Sequence, residues 1–142
     1  MRHHCFIAVA FAVLASGGCG DDARSEVSGI VRLNGEAIQE GSINFIPVEG
    51  NIGPGTGAVI TNGKYHIPKS NGVMVGRNRV EIRAFRNSGR KVQDATGPPG
   101  TLTDERVPAF PPEFNDRSTL IRDVSRGSNT IDFDIQLGRG PP

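Results

Sequence analysis

The side chains that could do chemistry are few, and the order of the chain keeps most of them apart. Tyr65 is the only tyrosine, and His66, beside it, is the only histidine beyond His3 and His4. Adjacent residues on a strand point to opposite faces, so Tyr65 and His66 cannot act on one bound group. A lone imidazole without a nucleophile and an orienting acid makes no triad, and a surface or half-buried strand residue is the favoured reading of His66. Beyond residues 3 and 4, no second histidine is present to complete a transition-metal set with His66. Asp132 and Asp134, two apart on one strand face, could hold a hard cation with Glu81 or Asp123. No EF-type glycine spacing accompanies them, and a solvated strand face is the favoured reading. Asp104-Glu105-Arg106 reads as a charged loop patch. We therefore expect no catalytic residue, no metal and no cofactor.

The two cysteines are Cys5 and Cys19. Arg2, an apolar run over residues 5–14 and small residues over 15–18 give the three regions of a secretory signal in order. The apolar run is too short for a helix to span a hydrocarbon core of about 30 Å. Cys19 directly follows the small residues, and in this the segment resembles a bacterial lipoprotein signal. That resemblance implies cleavage after residue 18, a lipid on the Cys19 sulfur and an exported protein held in the cell envelope. Gly20, rather than Asp, after the cysteine points to the outer membrane over the outer face of the inner one. Ser16 stands where that class usually carries leucine, and simple secretion with a free thiol is the alternative. Cys5 leaves with the signal, so the mature chain has no internal disulfide.

Loss of Arg2 with the signal brings Lys and Arg to parity with the 15 acidic residues. A chain near neutrality gives no electrostatic reason to expect nucleic acid as a partner. Glycine and proline make up about a fifth of the residues, below the range for low-complexity disorder. They fall between short runs of alternating apolar residues, which the pattern assigns as strands. Those runs are residues 27–33, 42–47, 57–61, 64–68, 78–86, 118–124 and 130–137. Asn34-Gly35 and Asn62-Gly63 supply two-residue hairpin turns, because both residues tolerate positive φ. Phe45, Ile82, Phe133 and Ile135 are the expected core. Residues 19–26 read as a polar tether, and 139–142 as a frayed tail. Residues 87–115, with five prolines, read as a long irregular loop that opens on Arg86, Arg90 and Lys91. Loops of that length are often functional, so these three cations form the candidate contact loop.

Seven short strands with no helical period predict an all-β, two-layer sandwich over residues 27–138. The run from Val27 to Gly35, then Ile38, Gly41, Ile43 and Phe45, resembles the opening of carboxypeptidase regulatory-like domains. The pattern continues through Thr61-Asn62-Gly63-Lys64-Tyr65-His66-Ile67, Gly76 and residues 79–82. Residues 82–90, 111–120 and 129–137 are similar to small surface lipoproteins of planctomycete type that carry this domain. The resemblance implies a seven-stranded prealbumin-like (transthyretin-like) sandwich. It departs at Asn78, where the family usually has an aromatic residue. Relatives of that fold with activity use residues this chain lacks. The purine-pathway hydrolases need several histidines, the intradiol dioxygenases two Tyr and two His, and isopeptide-forming adhesins a lysine on the first strand. What remains is a non-enzymatic lipid-anchored envelope module, held to the membrane through Cys19 and contacting an envelope protein or glycan. The alternative is a transthyretin-like small-ligand carrier whose apolar cavity Ile60, Tyr65 and Ile67 would line.

Overall fold

The computed structural model describes residues 23–138. Eleven strands and two single turns of 3-10 helix, Lys69–Asn71 and Pro112–Phe114, make up its regular structure, with no α-helix among the described residues. The strands are β1 (Arg24–Leu33), β2 (Glu36–Ala37), β3 (Glu40–Pro47), β4 (Thr56–Thr61), β5 (Lys64–Ile67), β6 (Val73–Met74), β7 (Gly76–Gln93), β8 (Leu102–Pro108), β9 (Ile121–Val124), β10 (Ser128–Thr130) and β11 (Phe133–Ile135). The main path through the sheet is β10-β1-β5-β4-β3-β7-β8, with β2, β6 and β11 also on β1, and β9 on β7. Only β10 and β11 pair in parallel, both with β1.

The sheet curls on itself because one face of nearly every strand is apolar. Val27 and Val31 of β1, Ile43 and Phe45 of β3, Ile60 of β4, and Val80 and Ile82 of β7 are wholly buried, and Phe133 and Ile135 join them. All belong to one apolar cluster, so strands far apart along the path meet across the core. The two expected hairpin turns are present: Asn34 and Gly35, like Asn62 and Gly63, have positive φ at both positions. Asn71-Gly72 is no such turn. It ends a 3-10 turn, and Gly72 is extended.

Four expectations are corrected. The tether ends earlier than residue 26, because Arg24 and Ser25 pair with Met74 and Val73 at the start of β1. Ser25 lies on the same inward side as Val27 and is fully buried, so the polar sequence concealed a strand; residues 19–22 fall outside the described residues. The final strand is broken at Ile131-Asp132 into β10 and β11. There Ile131 N–H donates to Ser28 O, and Asp132 accepts from the Ile30 N–H, each at 2.8 Å. The strand expected from residue 118 begins at Ile121, because the buried Ser118 hydroxyl donates to Val80 O and interrupts the ladder. Residues 87–115 are not an irregular loop. β7 continues to Gln93 and turns back through β8, forming a two-stranded arm.

Asn78, the departure from the family pattern, is wholly buried. Its Nδ2 donates to Met74 O at 2.8 Å and to Gly76 O at 2.9 Å. A side-chain amide thus holds the bend between β6 and β7 where an aromatic ring would only fill space.

Candidate functional site

Arg86, Arg90 and Lys91 lie on strand β7, and the loop assigned to them is corrected accordingly. The pairing with β8 consumes two of the three charges. The Arg90 guanidinium makes a two-point contact with Glu105, at 2.9 and 2.6 Å, and Lys91 reaches Asp104 at 2.7 Å. The Arg90 guanidinium, and after it the Ser88 hydroxyl, hold the Glu105 carboxyl below the usual carboxylate range. Arg86 has no ion-pair partner among the described residues. Of the three cations the sequence singled out, the structure leaves one without an ion-pair partner among the described residues.

Arg86 lines a groove at the root of the arm, with a volume of about 560 Å³. Its floor is apolar, from the buried Ile38 and Ala109, and Glu36, Asn62 and Arg106 stand around it. Arg106 crosses from β8 to lie 5.7 Å from the Phe85 ring centroid and 3.4 Å from a Glu40 carboxylate oxygen. Phe85 is 56% exposed, a large apolar side chain in an otherwise polar rim. The groove therefore offers an apolar surface, both signs of charge and amide donors, without a buried nucleophile. Phe85 was legible in the sequence as the one aromatic residue on the outward-facing alternation of residues 79–85. Arg106 and Glu40 were not, because nothing local to either shows that they converge.

The other chemical candidates are placed apart. Tyr65 points inward and its hydroxyl donates to Ile131 O at 2.6 Å. Burial, then the Asp132 carboxylate, raise its pKa well above the ordinary phenol value, against a smaller opposing effect of Arg122. His66 points outward, 3.8 Å from Glu26. Asp134 accepts from the Gln136 amide. Glu81 is nearly buried although it faces away from the core, and Arg79 and Arg83 contact it at 3.0 and 2.8 Å. That geometry matches what a buried carboxylate requires, namely opposite charge within hydrogen-bond reach. No group of three or more His, Cys, Asp or Glu is placed to hold a metal among the described residues. Ile60 and Ile67 are buried and Tyr65 nearly so, all within the packed core; the carrier alternative had them lining a cavity. A broad open hollow does lie over the outer side of β1 and β5, where Ile30, Val59, Lys64 and His66 meet. Cys19 falls outside the described residues. Compared with protein-family models, with curated proteins and with solved structures, the chain gives no match.

Proposed function

We propose that this chain is a non-enzymatic module of the cell envelope, exported by the signal in residues 1–18 and anchored through a lipid on Cys19. In this reading the body is a prealbumin-like sandwich of the carboxypeptidase regulatory-like kind. Its working surface is the groove at the root of the arm, which contacts an envelope protein or glycan. The observation that carries the contact role is that the exposed Phe85, with Arg106 over its ring, and Arg86, which has no ion-pair partner among the described residues, both lie on the lining of this one groove. Exposed aromatics and arginines are the residue types that dominate binding energy at interfaces. The core side chains of the body are already in contact with one another, so recognition falls to the surface. Two acyl chains, at about 0.8 kcal/mol per buried methylene, would hold such a module permanently at a membrane.

Two experiments test the two halves separately. Cys19→Ala is expected to move the protein from the membrane to the soluble fraction of labelled cells. Unchanged membrane association would defeat the anchor. Arg86→Glu combined with Phe85→Ser is expected to abolish capture of an envelope component that the parent chain retains from membrane extract. Equal capture by both chains would defeat the groove.

A further inference from the structure

The outer edge of the arm has a pattern of its own. Among the described residues β8 pairs only with β7. The Ala109 N–H donates to Ala84 O, and the Asp94 N–H donates to Thr101 O, each at 2.8 Å. Bonded and non-bonded pairs alternate along an antiparallel ladder. The registers Phe85↔Pro108, Asn87↔Arg106, Lys91↔Asp104 and Gln93↔Leu102 are therefore the non-bonded ones. So the backbone polar groups of Leu102, Asp104, Arg106 and Pro108 point away from β7. Pro108 fits this alternation, since its missing N–H would have pointed outward and costs the β7 ladder nothing.

We propose that this edge pairs with the same edge of a second copy of the chain, antiparallel, about a two-fold axis through Glu105. In that register Asp104 of each copy stands opposite Arg106 of the other. These are outward-pointing residues, so the pair exchanges both backbone hydrogen bonds and brings opposite charges together twice. Moving the axis by one residue, which slips the register by two, sets Asp104 against Asp104, or Arg106 against Arg106. In those registers both Asp104–Arg106 attractions are lost, whereas opposite charges facing one another are favourable, so the edge is best matched to itself in the register through Glu105. Leu102, 60% exposed in the single chain, then lies opposite Pro108. The two Glu105 carboxylates meet at the axis, and each arrives already paired with Arg90. Two-stranded hairpins are marginal alone, and three or more strands are needed for independent stability. Two arms joined edge to edge form a four-stranded ribbon, and a closed two-fold pair leaves no β8 edge to propagate.

The test uses the full chain with Cys5 and Cys19 both replaced by Ser, so that any introduced thiol is the only one. Glu105→Cys is expected to give a disulfide-linked dimer under mild oxidation, because the residue faces itself across the axis. Thr103→Cys alone is expected to stay monomeric, and to cross-link when mixed with Val107→Cys, its opposite in this register. Equal cross-linking of Glu105→Cys and Thr103→Cys would overturn the register. Sedimentation equilibrium of the parent chain gives an independent reading. A concentration-dependent dimer is expected, weakened about tenfold or more by Asp104→Pro, which removes two intermolecular hydrogen bonds by symmetry. Asp104→Pro leaves the backbone bonds of the β7 ladder intact because the lost N–H points outward, though it removes the exposed ion pair with Lys91. A parent chain that remains monomeric up to about 1 mM, or a dimer indifferent to Asp104→Pro, would overturn the proposal, whether or not the groove binds its own partner.

Discussion

β7 passes through two environments and shows how little a residue's type settles its burial. Over Gly76–Ala84 the strand pairs with β9 as far as Arg79 and with β3 from Asn78 onward, and Glu81, a carboxylate, is buried there to 8% exposure. Beyond Ala84 it has only β8 beside it, and Phe85, an aromatic, is 56% exposed. Hydropathy alone would reverse the two. Glu81 is tolerated because two guanidiniums replace its water. Phe85 is tolerated because Arg106 lies over its face, an arrangement that contributes about 0.5–1 kcal/mol at exposed sites. The body is held by what lies across from each side chain, and the arm by what lies beside it.

The widest separation between body and arm is expected from the same substitution made in each. Phe45→Ala removes a ring with no exposed surface that packs 6.2 Å from the Tyr65 ring centroid. It is expected to cost about 3–5 kcal/mol, as buried Phe→Ala changes do. Phe85→Ala is expected to cost less than about 1 kcal/mol, since most of that ring is already in water. Urea denaturation of both variants measures the gap, and similar midpoints would mean that the arm is part of the core.

Glycines sharpen the contrast. A Cβ at Gly29 would fall well inside contact distance of the Ile131 carbonyl, which is main chain and cannot swing away. The break between β10 and β11 is thus pressed against β1, and Gly29→Ala is expected to cost about 3 kcal/mol, at the upper end of overpacking effects. At Gly100, in the turn of the arm, nothing stands within 4 Å and the only obstacle is a φ of +89°. Gly100→Ala is expected to cost about 1 kcal/mol, from backbone strain alone. Thermal melts that rank the two in the opposite order would reverse the assignment of which region is close-packed.

The body was largely legible in the sequence, because alternation is visible wherever one face is buried. Val80, Ile82 and Ala84 announce an inward face, and Asn34-Gly35 and Asn62-Gly63 announce their turns. The arm was illegible for the same reason: with neither face buried, residues 86–93 and 102–108 carry no alternation, and the prolines suggested a loop. Pro98 and Pro99 in fact sit in the connection between β7 and β8, and Pro108 at a position that donates nothing inward. The start of β1 was hidden by the polar Arg24-Ser25, which β6 covers. In the site, Arg86 could be singled out by its segment, but Glu40 and Arg106 are brought together only because β3 and β8 lie on either side of β7. Such long-range convergence has no local signature.

Tyr65 allows the body to be read by its own titration, since the chain has one tyrosine and no tryptophan. The folded phenol holds its proton well above pH 10, whereas the unfolded phenol releases it near pH 10. Its contribution to stability is therefore complete below about pH 10 and is eroded as pH rises toward the folded value. Phenolate absorbance is expected to be absent at pH 10 to 10.5 and to rise together with loss of the far-ultraviolet β signal. Tyr65→Phe is expected to cost about 1 kcal/mol, the net worth of the bond to Ile131 O. A phenolate signal half-developed near pH 10 in a fully folded chain would place this ring at the surface.

The smallest expected effect belongs to the arm and runs at the acid end. Glu105 has its carboxyl held below the ordinary range by Arg90 first and Ser88 second. A depressed folded value means that the pairing supports the arm above about pH 4.3, and that this support disappears as pH falls through the folded value. Carboxyl-carbon NMR is expected to show Glu105 titrating below the ordinary glutamate range, and rising into it in Arg90→Ala. Meanwhile the ring signals of Tyr65 and Phe45 are expected to hold constant, because neither the pairing nor its loss reaches the core. If acid instead shifts the core rings in step with Glu105, the arm and the body unfold as one unit, and the distinction between them is a matter of exposure alone.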